Sequence, residues 1–93
     1  GEGPRFVNKV LPRYPGFARE QGREGTVLLM VTIDERGHLV DVELIKRAGS
    51  GFDEEAMRAV RRSTFSPAKR GGKPVLCRAR LPIRFQLHGE EGN

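Results

Sequence analysis

Arg78, Arg80 and Arg84 occupy even positions of a segment, Val75 to Leu87, whose odd positions are all apolar. Guanidinium groups at that spacing can meet carboxylates through charge-assisted hydrogen bonds. They can also guard an open sheet edge by charge alone. The residue types allow both uses. The other chemistry-bearing side chains are scattered. His38 and His88 lack the sequence-local partners that a catalytic triad or a metal site needs. Asp53, Glu54 and Glu55 are adjacent acids at a helix start, where capping and the helix dipole account for them. Lys69-Arg70-Gly71-Gly72-Lys73 reads as a basic surface loop, and the dispersed glycines match no phosphate-cradling pattern. Cys77 is the single cysteine, so neither an intramolecular disulfide nor a cysteine cage for metal is available. In the apolar register it packs as a small hydrophobe. The chemistry expected is therefore binding, with no catalytic residue, metal or cofactor.

The segment that carries the arginines explains how they are positioned. Val75, Cys77, Ala79, Leu81, Ile83, Phe85 and Leu87 alternate with Leu76, Arg78, Arg80, Pro82, Arg84 and Gln86. This period of two marks a strand with one buried and one wet face. Proline has no N–H to give a neighbouring strand and is confined to edges, strand starts and bulges. Pro82 therefore places this strand at an edge. Direction of the backbone groups also alternates with period two. With no bulge nearby, Pro82 requires even-numbered groups to face outward and odd-numbered groups to face the sheet. The free edge then offers the N–H groups of Leu76, Arg78, Arg80 and Arg84, interrupted at Pro82.

At 93 residues the chain is one small domain. Lys and Arg total 17 against 12 acids, a formal charge of +5 that suits an anionic partner or a well-solvated surface. No apolar run reaches membrane-spanning length and no signal peptide is visible. The start at Gly1 without a methionine is compatible with a fragment. Residues 1–10 read as an extended arm, 11–88 as the folded domain and 89–93 as a flexible tail. Pro15 and Gly22 bound a two-turn helix, which must dock through Phe17 and its neighbours. Thr26 to Asp34 alternates as a strand, with Leu28 and Met30 leaving an apolar spot on its second face. Glu35-Arg36-Gly37-His38 is a hairpin loop. Leu39 to Lys46 returns with Val40, Val42 and Leu44 inward, a pattern that Ile45 breaks. Ser50 caps a second helix that buries a stripe of Phe52, Ala56, Val60 and Ser63. The predicted fold is α+β, ordered α-β-β-α-β. A three-stranded antiparallel sheet carries both helices on one face, and the last strand pairs with either hairpin strand.

Sheet-based RNA readers stack bases on exposed aromatics. Here Phe85 lies in the inward register while Asp41 and Glu43 lie on the open face, so nucleic acid is disfavoured as a partner.

Leu11-Pro12-Arg13-Tyr14-Pro15, Ala18, Gly22, Gly25-Thr26-Val27, Ile33-Asp34 with Gly37, Asp53 with Ala56 and Ala59, Phe65-Ser66-Pro67-Ala68 and Pro82-Ile83-Arg84-Phe85 together resemble the C-terminal domain of the TonB energy-transducer family. The match runs in order over about residues 11 to 87. The resemblance implies a non-enzymatic periplasmic domain, joined by a linker to a helix in the inner membrane of a Gram-negative bacterium. It implies capture of the TonB box, a short segment of outer-membrane receptors, by strand addition at the last strand. It also implies energy transfer from an inner-membrane motor complex, through regions absent from this chain, for uptake of cargo such as siderophores. The corresponding peptide-binding stretch is Leu76, Cys77, Arg78, Ala79, Arg80, Leu81, Pro82 and Ile83. The family's Gln-Pro-x-Tyr-Pro segment falls on Leu11, Pro12, Arg13, Tyr14 and Pro15. These five are candidate receptor contacts, with Leu11 in place of the glutamine. Tyr14 and Pro15 serve equally well as structural residues leading into the first helix.

Two other readings remain open at this level. One is a related periplasmic envelope or signalling module with the same fold. The other is a small basic binder of nucleic acid or anionic surfaces. The open edge and the Leu28–Met30 spot also suit a homodimer, unless the arm carrying Phe6, Val10 and Leu11 covers that spot.

Overall fold

Val27, Leu29, Val31 and Ile33 are essentially inaccessible to solvent in the computed structural model, which describes residues 1–87. Their spacing makes Gly25–Ile33 (β2) the centre of the sheet. Leu39–Lys46 (β3) pairs with one side of β2 and Cys77–Phe85 (β7) with the other, both antiparallel. The order β3-β2-β7 resolves the choice left by the sequence: the last strand joins the first hairpin strand. The helices Gly16–Glu20 (α1) and Phe52–Arg62 (α2) contribute Ala18, Phe52, Ala56 and Val60 to the core over the sheet's inner face. The α+β arrangement and the chain order of its main elements are as expected.

Three short pairings extend this plan. Arg5–Asn8 (β1) in the arm pairs with Thr64–Ser66 (β4), and Phe6 stacks on Phe65 with ring centroids 4.9 Å apart. Ser63 Oγ accepts from the Val10 amide and Thr64 Oγ1 from the Asn8 amide, so the arm is tied along its length. Phe6 shares a cavity wall with the inward residues Val31, Ile33, Ala79 and Leu81, so the arm lies on the helix side and leaves Leu28 and Met30 alone. The basic loop is itself a hairpin of Ala68–Arg70 (β5) and Lys73–Val75 (β6). Glu2 also bridges to Lys69 of this hairpin through both backbone bonds.

Several local expectations give way to tertiary packing. Phe17 is 61% exposed while Ala18 is fully buried. The short helix therefore docks through a methyl group, and Phe17 carries Arg23 over its ring instead. Gly22, at φ +67°, closes α1 as expected: its N–H bonds the Arg19 carbonyl and that of Arg23 bonds the Ala18 carbonyl. Ser50 does not cap α2. Its hydroxyl accepts from the Arg23 guanidinium, and Gly51 occupies the cap position at φ +83°. The Asp53 carboxylate reaches back to the amides of Ala48 and Gly49. Val40, expected inward, is 54% exposed. The β2–β3 register shifts between Thr32 and Ile33, which seats Leu39 inward and turns Val40 out. A second shift, between Leu28 and Leu29, leaves Ile45 as the extra residue. The expected tail at 89–93 lies outside the described residues.

Candidate functional site

Pro82 lies opposite Leu28 in a ladder that runs from Gly25–Phe85 to Ile33–Cys77 without a register shift. A proline sits in such a ladder only where its missing N–H would have pointed away. Odd-numbered backbone groups of β7 therefore face β2, and even-numbered ones face outward along the sheet edge. The unbroken ladder meets the condition that the sequence argument required. Leu76 is the exception within the predicted stretch, because it falls between β6 and β7, 57% exposed.

The side chains of β7 divide by parity. Cys77, Ala79 and Leu81 are half-buried and Ile83 is buried, whereas Arg78, Arg80, Pro82 and Arg84 are exposed. Arg78 reaches across the open face to Glu43 at 3.6 Å, with both side chains more than half exposed. Such a pair is worth little in stability. Arg80 and Arg84 have no ion pair among the described residues, so their charge is available to a ligand.

The arm runs beside the inner side of β7 and leaves two small cavities. One, of 130 Å³, lies between Phe6, Phe65, Ala79 and Leu81. The other, of 210 Å³, lies between Val10, Leu11, Pro12, Pro82 and Ile83. Sequence reasoning did not place Phe6, Val10 and Phe65 at this site. Phe65 between Thr64 and Ser66 gave a short alternation, but Phe6 is followed by Val7 and gave none.

The structure separates the five candidate contacts at 11–15. Leu11, 75% exposed, and Pro12 flank the end of β7 next to Pro82 and Ile83. Arg13 is exposed. Tyr14 packs edge-on to Phe52 and Phe85 at 5.6 and 5.8 Å, and its hydroxyl donates to the Arg23 carbonyl, clamping the end of α1. Partial burial, then the charge of Glu24, hold the phenol above its ordinary pKa of 10.0, with Arg19 opposing. It therefore remains a donor. Pro15 packs against the α2 cap at Gly51. Gly25 is needed for a related reason: a Cβ there would meet the Ala48 methyl at 3.0 Å and the Phe52 ring at 3.4 Å.

Among the described residues no His, Cys, Asp or Glu cluster could hold a metal, and no helix is long and apolar enough to cross a membrane. The sequence pattern of the Gram-negative bacterial TonB protein C-terminal region matches residues 10–87. The chain belongs to that family. It is a non-enzymatic family. TonB of Vibrio cholerae is 39% identical over 88 residues, covering 92% of this chain and 36% of that protein. Protein tonB2 of Pseudomonas aeruginosa is 37% identical over 84 residues, covering 89% of the chain and 31% of that protein. The chain thus spans roughly a third of the length of these curated relatives. The solution NMR structure of the Pseudomonas aeruginosa TonB C-terminal domain superposes with a TM-score of 0.75 at 27% identity, covering 98% of this chain and 93% of that one.

Proposed function

We propose that this TonB C-terminal domain is the periplasmic receptor-binding part of an energy transducer, and that it captures an extended receptor segment as an added strand on β7. The observation that carries the reading is the unbroken nine-residue edge strand whose outward parity is set by Pro82. Main-chain bonds to Arg78, Arg80 and Arg84 supply affinity, while alternate side chains of the segment meet the cavities beside the arm and supply selection. Each such bond contributes about 0.5–1.5 kcal/mol net. A ladder of this length therefore gives reversible capture after association entropy is subtracted. Arg80 and Arg84 add attraction for an acidic segment. The inner-membrane anchor and the motor complex that would load this domain belong to regions outside the chain. Family membership supports that part of the reading.

The test is an Arg80→Pro variant titrated by calorimetry with a synthetic TonB-box peptide. Arg80 gives its N–H outward, so proline removes a docking donor without removing a sheet bond. Capture should weaken by about two- to tenfold, with the unfolding midpoint little changed. Unchanged capture by a folded variant would falsify strand addition on β7.

A further inference from the structure

The second sheet edge presents a different surface. On β3, Asp41, Val42, Glu43 and Leu44 pair regularly with Thr32, Val31, Met30 and Leu29 between the two register shifts. Pro82 sets odd-numbered groups of β2 toward β7, so Leu28, Met30 and Thr32 face β3. Val42 and Leu44 then turn their own N–H and C=O away from the sheet, while their side chains point inward beside α2. An edge strand next to a helix forms a groove of the kind that takes an extended peptide. Here it consists of two cavities, 650 and 580 Å³, that meet at Arg61.

The charge of this groove is predominantly positive. Its floor has Leu44 and Met57, and its rim carries Arg47, Arg58, Arg61 and Arg62. Arg36 stands at the far end. Only Arg58 has an acidic partner among the described residues, Glu55 at 3.9 Å. The Asp53 carboxylate that borders the groove is already taken by the Ala48 and Gly49 amides. Glu54 and, in the first cavity, Asp41 add two acids against the five arginines. We infer that the β3–α2 groove is a second docking site, for an acidic extended peptide segment of a protein partner, with one apolar side chain seated on Leu44 and Met57. The register shifts limit main-chain pairing to Val42 and Leu44, so recognition depends on the arginine rim more than on a long ladder. This site is independent of strand addition at β7.

The test follows amide chemical shifts of the whole chain during titration with a blocked Glu-Val-Glu-Val-Glu peptide and its Lys-Val-Lys-Val-Lys counterpart. The acidic peptide should shift Val42, Leu44, Met57 and Arg61, and the basic peptide should not. Arg61→Gln with Arg62→Gln should weaken that response by about tenfold. Arg47→Glu, outside the helix, should weaken it without touching α2. Arg80→Pro should leave it intact, which separates this groove from β7. Shifts confined to β7, equal responses to both peptides, or a response only to phosphatidylglycerol vesicles would each overturn the inference.

Discussion

The two edges of one three-stranded sheet have been made unlike each other. β7 keeps a single register for nine residues and lacks only the donor at Pro82. β3 breaks register twice within eight residues and leaves a short regular stretch between. Bulges and prolines both protect open edges, but they do so differently. A bulge ends the run of outward groups, whereas a proline deletes one donor and preserves the rest. The first edge can therefore accept a long added strand. The second can accept only a short one, and must take the remainder of its selectivity from side chains.

The comparison depends on the strand that both edges share, so its largest disruption comes from there. Leu29 is fully buried on β2 and lies opposite both Leu44 and Leu81. Leu29→Ala should cost about 2–5 kcal/mol in chemical denaturation, with acidic-peptide responses at both edges declining together. Loss at one edge alone would mean that the edges do not share a core.

Gly37 should matter next, and chiefly to β3. It sits at φ +88°, and a Cβ there would lie 2.4 Å from the Phe65 carbonyl oxygen. Gly37→Ala should cost about 1–3 kcal/mol, and amide exchange should accelerate in β3 and β4 before β7. Uniform acceleration would count against a local effect.

Pro82→Val addresses the longer edge directly. It restores one outward donor, so a peptide on β7 should gain about 0.5–1.5 kcal/mol. Sedimentation should also show more self-association, because the edge has lost its interruption. Weaker capture with unchanged self-association would show that Pro82 contributes shape, not a missing donor.

The smallest effect is a pH dependence confined to the β2–β3 turn. The Asp34 carboxylate accepts the amides of His38 and Arg36, which hold its pKa below the ordinary value of 3.8, with the His38 and Arg36 charges assisting. A depressed carboxylate stabilises the fold above its unfolded pKa and ceases to do so as pH falls through the folded value. Exchange at the Arg36 and His38 amides should therefore accelerate below pH 3.8, while β7 is unaffected. Asp34→Asn should reduce that acid response.

Alternation in Thr26–Ile33 and in Val75–Phe85, the Asp34–His38 turn and the buried stripe of α2 were legible as local periodicity, because one buried face imposes a period of two or of 3.6 residues. The edge position of the last strand and its outward parity were legible too, since both follow from the chemistry of a single proline. The partner of that strand was not. Nothing local distinguishes β2 from β3 as its neighbour, and only the assembled sheet, with β2 at its centre, shows the pairing. The bulges expose Val40 and Ile45 because each inserts one extra residue opposite β2, and only Ile45 left a trace in the pattern. Ser50 and Phe17 misled for one reason: each has a strong local preference, a cap and an apolar anchor, that the approach of Arg23 and the close docking of Ala18 override. The sequence by itself determined the parities of β2 and β7, the arginine positions and the resemblance that names the family. Tertiary structure alone decided that the arm lies against β7 and that an arginine-rimmed groove opens beside β3, because both bring together residues too far apart in sequence for local periodicity to relate.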